Sequence, residues 1–140
     1  MGMTLGIIGY GEVGGIFGRG LLPQGDIDAI WVWDLNFDSA STGQAARAAA
    51  QADGMRVAAN VAELCAQADL LISAVTASNT LAVAEAAAPH ARRGACFLDL
   101  NSASPGTKQR AAAALEAVGV HYIEAGGMTS GPPHGIRGPI

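Results

Sequence analysis

The chain has 140 residues, 50% of them hydrophobic and 14% charged, and its formal net charge is −4. This length suits one domain with a buried core and excludes two domains of ordinary size, and the composition excludes a disordered chain. The negative charge and the scattered basic residues argue against a nucleic-acid surface, and no apolar run is long enough for a membrane span. Because the N-terminus enters its first strand at once, without room for a targeting peptide, we expect a cytoplasmic protein.

The beginning of the chain predicts a strand, a turn, a helix and a second strand. Residues 3–8 are apolar, residues 9–14 have the spacing G-x-G-x-x-G, residues 12–22 favour a helix, and residues 29–34 form an apolar run that ends in an acid. This order of elements is the context in which a G-x-G-x-x-G turn binds a dinucleotide.

Each glycine of the turn has a separate physical role. Gly9 permits the tight turn, Gly11 has no Cβ to keep a pyrophosphate away from the backbone, and Gly14 lets the helix lie close to the strand. The N-terminus of the helix offers free N–H groups and the positive end of its dipole to the phosphates. We predict that the whole turn contacts the cofactor through Gly9, Tyr10, Gly11, Glu12, Val13 and Gly14.

Asp34 is the predicted ribose ligand. It lies twenty positions after Gly14, about the spacing expected for the acid that binds the adenosine ribose hydroxyls. A carboxylate here repels a 2′-phosphate, and the next three residues contain no arginine, so we predict NAD in preference to NADP. The alternative is a glycine-rich turn in another α/β protein, in which Asp34 only caps a strand.

The rest of the chain predicts further alternation of helices and strands. Asn60 is expected to cap a helix, with Glu63 reaching back as in a capping box. The predicted helices are residues 39–53, 61–67, 80–88 and 107–118, and the predicted strands are residues 55–58, 70–75, 95–100 and 120–124.

Strands separated by helices indicate βαβ units and a parallel sheet. We therefore predict a Rossmann-type, doubly wound α/β fold with helices on both faces and ligands at the carboxyl ends of the strands. Val75 ends one of these strands, Thr76 follows it and Asn101 follows another, so we add all three to the predicted cofactor contacts.

Three segments in order, residues 6–14, 69–75 and 97–105, resemble the N-terminal domain of the β-hydroxyacid dehydrogenases, which include 3-hydroxyisobutyrate and 6-phosphogluconate dehydrogenases. The match of residues 124–128 to the substrate loop of that family is looser. The resemblance implies an oxidoreductase that transfers a hydride between a nicotinamide cofactor and a small hydroxy acid.

The resemblance also implies a division of the enzyme into two domains. Residues 1–124 would be the NAD(P)-binding Rossmann domain, and residues 125–140 the substrate-side loop and the start of the connection to a C-terminal helical domain. In the family that domain supplies a catalytic lysine and most of a homodimer interface. We expect Lys108, the only lysine here, to be a solvated surface charge, so that no catalytic residue lies within these 140 residues.

The loop after the fifth predicted strand is the expected substrate anchor. In the family a Ser or Thr here binds the substrate carboxylate, which places Asn101 and Ser102 at the substrate, and both can donate a hydrogen bond. The alternative is a local turn in which Ser104 begins the next helix. Met128, Thr129 and Ser130 would line the substrate side or form a surface loop.

No metal site is predicted. His90, His121 and His134 lack metal-ligand spacing and are expected to be structural, although His134 is the one that would approach a substrate. Cys65 and Cys96 are expected to be small buried hydrophobic residues. Two other functions stay open: a non-catalytic NAD(P)-binding module, and the cofactor domain of an imine reductase.

Overall fold

A computed structural model describes residues 2–125. Within this range eleven regular helices and strands alternate, and two short 3-10 turns, Leu35–Asp38 and Ala77–Asn79, lie between them. The strands are β1 (Met3–Ile8), β2 (Ile27–Trp33), β3 (Arg56–Val57), β4 (Leu70–Ser73), β5 (Cys96–Asp99) and β6 (His121–Glu124). The helices are α1 (Glu12–Leu21), α2 (Gly43–Ala52), α3 (Val61–Gln67), α4 (Thr80–Ala87) and α5 (Pro105–Glu116).

The six strands form one parallel sheet in the order β3-β2-β1-β4-β5-β6. Ile8 at the end of β1 pairs with Trp33 on one side and with Ser73 on the other. The direction of winding reverses between β1 and β4, so the carboxyl ends of these strands flank a topological switch point. The predicted doubly wound fold is confirmed.

Helices cover both faces of the sheet, and alternate strand residues face opposite sides. Leu71 packs with Leu64 and Leu115 from α3 and α5, whereas the next residue, Ile72, packs in a second cluster with Ala50 of α2. All five residues are almost fully buried. This alternation on strands buried on both sides explains the continuous apolar runs in the sequence.

Several predicted element boundaries differ from the structure by two residues or more, and two of these differences have a clear physical cause. The second helix begins at Gly43 instead of residue 39, because a 3-10 turn forms first and Asp34 caps it by accepting a hydrogen bond from Asn36 N. The fourth strand ends at Ser73 instead of residue 75, because Val75 N donates to the Asn101 side chain and leaves the ladder.

Asn60 caps α3 as predicted. Its Oδ1 accepts from Glu63 N at 2.8 Å, and Glu63 Oε1 accepts from Ala59 N at 2.7 Å, one residue before the expected partner. We expect Asn60→Ala to lower the free energy of unfolding by about 1 kcal/mol, measured by urea denaturation, because removal of the capping side chain leaves a helix N–H without its acceptor. Asn60→Asp retains the acceptor and should stay close to wild type; equal losses in both variants would contradict the capping role.

Candidate functional site

A cavity of about 830 Å³ lies at the carboxyl ends of β1, β2 and β4, across the switch point. It is bordered by the glycine-rich turn, by Asp34 and by the segment after β4. Of the predicted cofactor residues, seven line it: Gly9, Gly11, Glu12, Val13, Asp34, Val75 and Thr76. Tyr10 and Gly14 belong to the same turn without lining the cavity, and Asn101 lines a different cavity.

The three glycines occupy three different environments. Gly9 has φ +97°, and a Cβ on it would lie 2.2 Å from the carbonyl oxygen of Ala74. A Cβ on Gly14 would lie 2.0 Å from the carbonyl oxygen of Gly9, so a glycine is needed here for the helix to lie this close to the turn after β1. A Cβ on Gly11 would meet no atom of residues 2–125 within 4 Å. Gly11 therefore leaves space beside the first turn of α1, where N–H groups attract an anion.

The Asp34 carboxylate is held by two backbone groups. Its Oδ2 accepts from Tyr10 N at 2.7 Å, and its Oδ1 accepts from Asn36 N at 2.8 Å. Each carboxylate oxygen can accept a second hydrogen bond, so the group retains capacity for two ligand hydroxyls. Asp34 thus caps the 3-10 turn and also borders the cavity, whereas the alternative prediction gave it a capping role alone.

An apolar part of the cavity was not predicted from the sequence. Trp33, Val61, Ala82, Val83 and Ala86 border it, and they come from β2, α3 and α4. A flat aromatic ring would be enclosed by such side chains without demanding hydrogen bonds. The tryptophan next to Asp34 was the only sequence signal for this region.

Tyr10 connects the glycine-rich turn to the end of α2. Its hydroxyl donates to Asp53 Oδ2 at 2.7 Å, and Arg19 Nη1 donates to the same oxygen at 3.2 Å. Burial and then the hydrogen bond to Asp53 raise the pKa of Tyr10 to about 12. The hydrogen bond from Tyr10 is the main cause that lowers the pKa of Asp53.

We expect the free energy of unfolding to fall as the pH rises from about 10 to about 12. The pKa of Tyr10 rises from 10.0 to about 12 in the folded protein, so only the folded state keeps the proton in this window. Denaturant unfolding across this pH range should show a smaller slope for Tyr10→Phe than for wild type. Burial also raises the pKa of Tyr122, so Tyr122→Phe serves as a second comparison. An unchanged slope in Tyr10→Phe would refute the assignment.

Asn101 joins the ends of β4 and β5. Its side chain is buried, with Oδ1 accepting from Val75 N at 2.7 Å and Nδ2 donating to Ser73 Oγ at 2.9 Å. Its backbone N donates to Asp99 Oδ1 at 2.8 Å. Asn101 therefore has a structural task here, and its substrate role stays a prediction.

The remaining predicted substrate residues fall in two groups. Ser102 is exposed and, with Asn101, borders a second cavity of about 620 Å³. Ser104 caps α5 by accepting from Thr107 N at 3.2 Å, as the turn alternative predicted. Met128, Thr129 and Ser130 lie outside the described residues.

Lys108 is buried, and the prediction of a solvated surface charge was wrong. It is 8% exposed, Nζ donates to Glu124 Oε1 at 2.6 Å, and Nζ lies 3.8 Å from Asp99 Oδ1. The physical reason is that the side of α5 bearing Lys108 packs against the sheet, where the ends of β5 and β6 present two carboxylates. Tyr122 OH donates to the other oxygen of Asp99 at 2.6 Å.

The predicted non-site residues have ordinary environments. His90 and His121 are exposed, and His134 lies outside the described residues. Cys65 is buried, which raises the pKa of its thiol to about 12, and Cys96 is partly buried. Residues 2–125 contain no group of three His, Cys, Asp or Glu side chains arranged to hold a metal ion. None of the helices in this part of the chain combines the length and apolar character needed to cross a membrane.

Residues 4–137 match the profile of a family described as the NAD binding domain of 6-phosphogluconate dehydrogenase. A conserved hypothetical protein from Sinorhizobium meliloti 1021 superposes with a TM-score of 0.85 and 35% identity, over 96% of this chain and 44% of that one. Mycobacterium tuberculosis 3-hydroxyisobutyrate dehydrogenase, solved with L-serine, gives 0.76 and 23% over 89% and 40%.

A reductive aminase from Aspergillus terreus, in complex with NADPH and ethyl-5-oxohexanoate, gives a TM-score of 0.70 and 23% identity over 90% of this chain and 41% of that one. The present chain therefore spans less than half the length of these three structures. A comparison with curated protein sequences found no significant match.

Proposed function

The chain belongs to the family of NAD-binding domains of 6-phosphogluconate dehydrogenase, and we propose that it serves hydride transfer between a nicotinamide cofactor and a small hydroxy acid. Membership of the family makes it an NAD(P)-binding Rossmann domain of an oxidoreductase. The observation that carries the proposal is the cavity in which the Asp34 carboxylate and the open side of Gly11 face the same space.

Different residues of the site would bind different parts of the cofactor. Asp34 would accept from the adenosine ribose hydroxyls, and the N-terminus of α1 beside Gly11 would bind the pyrophosphate. The apolar part of the cavity, next to Trp33, suits the adenine ring. The nicotinamide half then lies beyond the switch point, near Val75, Thr76 and Asn101.

We propose NAD as the preferred cofactor. The Asp34 carboxylate would repel a 2′-phosphate, and among residues 2–125 no arginine borders the cavity. The nearest arginine along the following segment, Arg47, donates to the carbonyl oxygen of Phe37. This contact uses its guanidinium within the protein and supports the preference for NAD.

The bound nicotinamide supplies the hydride chemistry, and this chain supplies binding and orientation. We propose that Asn101, Ser102, Met128 and Thr129 face the substrate. The general acid or base would be a lysine of a C-terminal helical domain joined to residues 125–140, with a homodimer as the assembled form. Residues 1–124 would then form the cofactor domain.

Calorimetric titration of the intact protein with NAD and NADP tests the proposal first. Saturable binding supports it, and absence of binding for both cofactors overturns it. Turnover of 3-hydroxy acids with NAD then separates a dehydrogenase from a non-catalytic binding module. Reduction of cyclic imines without turnover of hydroxy acids would favour the imine reductase alternative.

A further inference from the structure

Lys108 is the centre of a group of charged and polar side chains at the ends of β5 and β6, in which Lys108 and Asp99 are buried and the Glu124 side chain is 40% exposed. Its ammonium lies between the carboxylates of Glu124 and Asp99. Asp99 is 0% exposed and also accepts from Tyr122 OH, whose ring stacks on Phe97. A carboxylate buried to this extent depends on compensating charge and hydrogen bonds, because its desolvation is costly.

A chain of hydrogen bonds leads from this group to the cofactor cavity. Asp99 Oδ1, the oxygen nearest Lys108 Nζ, accepts from Asn101 N at 2.8 Å. The Asn101 side chain then accepts from Val75 N at 2.7 Å and donates to Ser73 Oγ at 2.9 Å. Val75 borders the cavity on the β4 side of the switch point. The steps from Asp99 onward are direct hydrogen bonds, and the step from Lys108 Nζ to Asp99 Oδ1 is an ion pair at 3.8 Å.

We infer that Lys108 is a positioning residue for the nicotinamide half of the cofactor, acting through Asp99 and Asn101. The inference rests on the proposed function, which puts the nicotinamide near Val75. Without the ammonium, Asp99 loses its nearest cation, and the backbone of Asn101 loses a fixed acceptor. The adenosine side is separate, because the Asp34 carboxylate accepts from Tyr10 N and Asn36 N, and neither residue belongs to the path from Lys108 to Val75.

The test compares two ligands that share one half. NADH carries the nicotinamide, whereas ADP-ribose retains only the adenosine, pyrophosphate and second ribose. In the intact protein, Lys108→Met should raise the Kd for NADH about tenfold, because Asp99 without its nearest cation no longer fixes the backbone of Asn101, which holds Val75 at the nicotinamide side of the cavity. The Kd for ADP-ribose should change less than about twofold, because it lacks the nicotinamide ring and its adenosine and pyrophosphate lie on the other side of the switch point.

Three variants make the comparison specific. Lys108→Arg keeps the charge and should restore much of the NADH affinity. Arg110→Met removes the same charge from an exposed position on the same helix and should match wild type for both ligands. Tyr122→Phe removes only the hydroxyl that donates to Asp99 and keeps the ring, so it should also raise the Kd for NADH. It provides the test if Lys108→Met does not fold.

The outcomes separate this inference from the proposed function. An equal loss of NADH and ADP-ribose in Lys108→Met, or unchanged binding of both, overturns the positioning role while the cofactor site stands. If Lys108→Met does not fold, unchanged NADH binding in Tyr122→Phe overturns it too. Wild-type protein that binds neither ligand overturns the proposed function itself and the inference with it.

Discussion

Gly11→Ala should abolish tight binding of NAD while leaving the fold intact. A Cβ at this position meets no atom of the described chain within 4 Å, and its φ of −89° lies outside the left-handed region that favours glycine. The free energy of unfolding should therefore change by less than about 1 kcal/mol. The methyl group would occupy the space through which a pyrophosphate reaches the backbone, so the Kd should rise at least about tenfold.

Two other glycines serve as controls for this experiment. Gly106→Ala also adds a Cβ in open space, but on the first turn of α5, and should bind NAD like wild type. Gly14→Ala places its Cβ 2.0 Å from a backbone oxygen and should cost at least about 2 kcal/mol of stability. Wild-type affinity in a folded Gly11→Ala protein would contradict the proposed path of the pyrophosphate.

Asp34→Ala should weaken NAD binding about 10- to 100-fold and remove the discrimination against NADP. The range follows from about 1.5–3 kcal/mol for hydrogen bonds to a charged group. The loss has two physical sources, since the ribose loses its acceptor and Tyr10 N loses the carboxylate that fixes the turn. Parallel calorimetric titrations with NAD and NADP measure both effects.

Two variants identify the source of that change. Asp34→Asn removes the charge but keeps one oxygen acceptor, so its NADP affinity should rise relative to NAD with a smaller loss of stability. Asp38→Ala removes an exposed carboxylate four residues away and should leave both affinities unchanged. Equal loss of NAD and NADP affinity in Asp34→Asn would mean that the carboxylate does not select the cofactor.

Part of the site was predictable because its contacts are local in sequence. The turn at residues 9–14 places its N–H groups and its open glycine together within one helical turn, whatever surrounds it. Asn60 and Glu63 form their cap within four residues. Asp34 was found through the fixed length of the unit that joins two adjacent parallel strands.

Other parts depended on residues that are distant in sequence. The apolar region beside Trp33 forms only when α3 and α4 pack next to the end of β2, and no local pattern specifies those neighbours. The end of β4 was predicted two residues late, because the side chain that removes Val75 from the ladder comes from 26 residues further along the chain.

The sequence by itself determined the order of elements, the parallel sheet and the glycine-rich turn, because periodicity, caps and glycine conformation act over a few neighbouring residues. Only the tertiary structure decided the role of Lys108. On a helix surface a lysine normally faces water, and nothing within one turn of it predicts otherwise. Its burial requires β5 and β6 to bring Asp99 and Glu124 to the same side of α5, and charge compensation between the three groups then outweighs the preference for solvent.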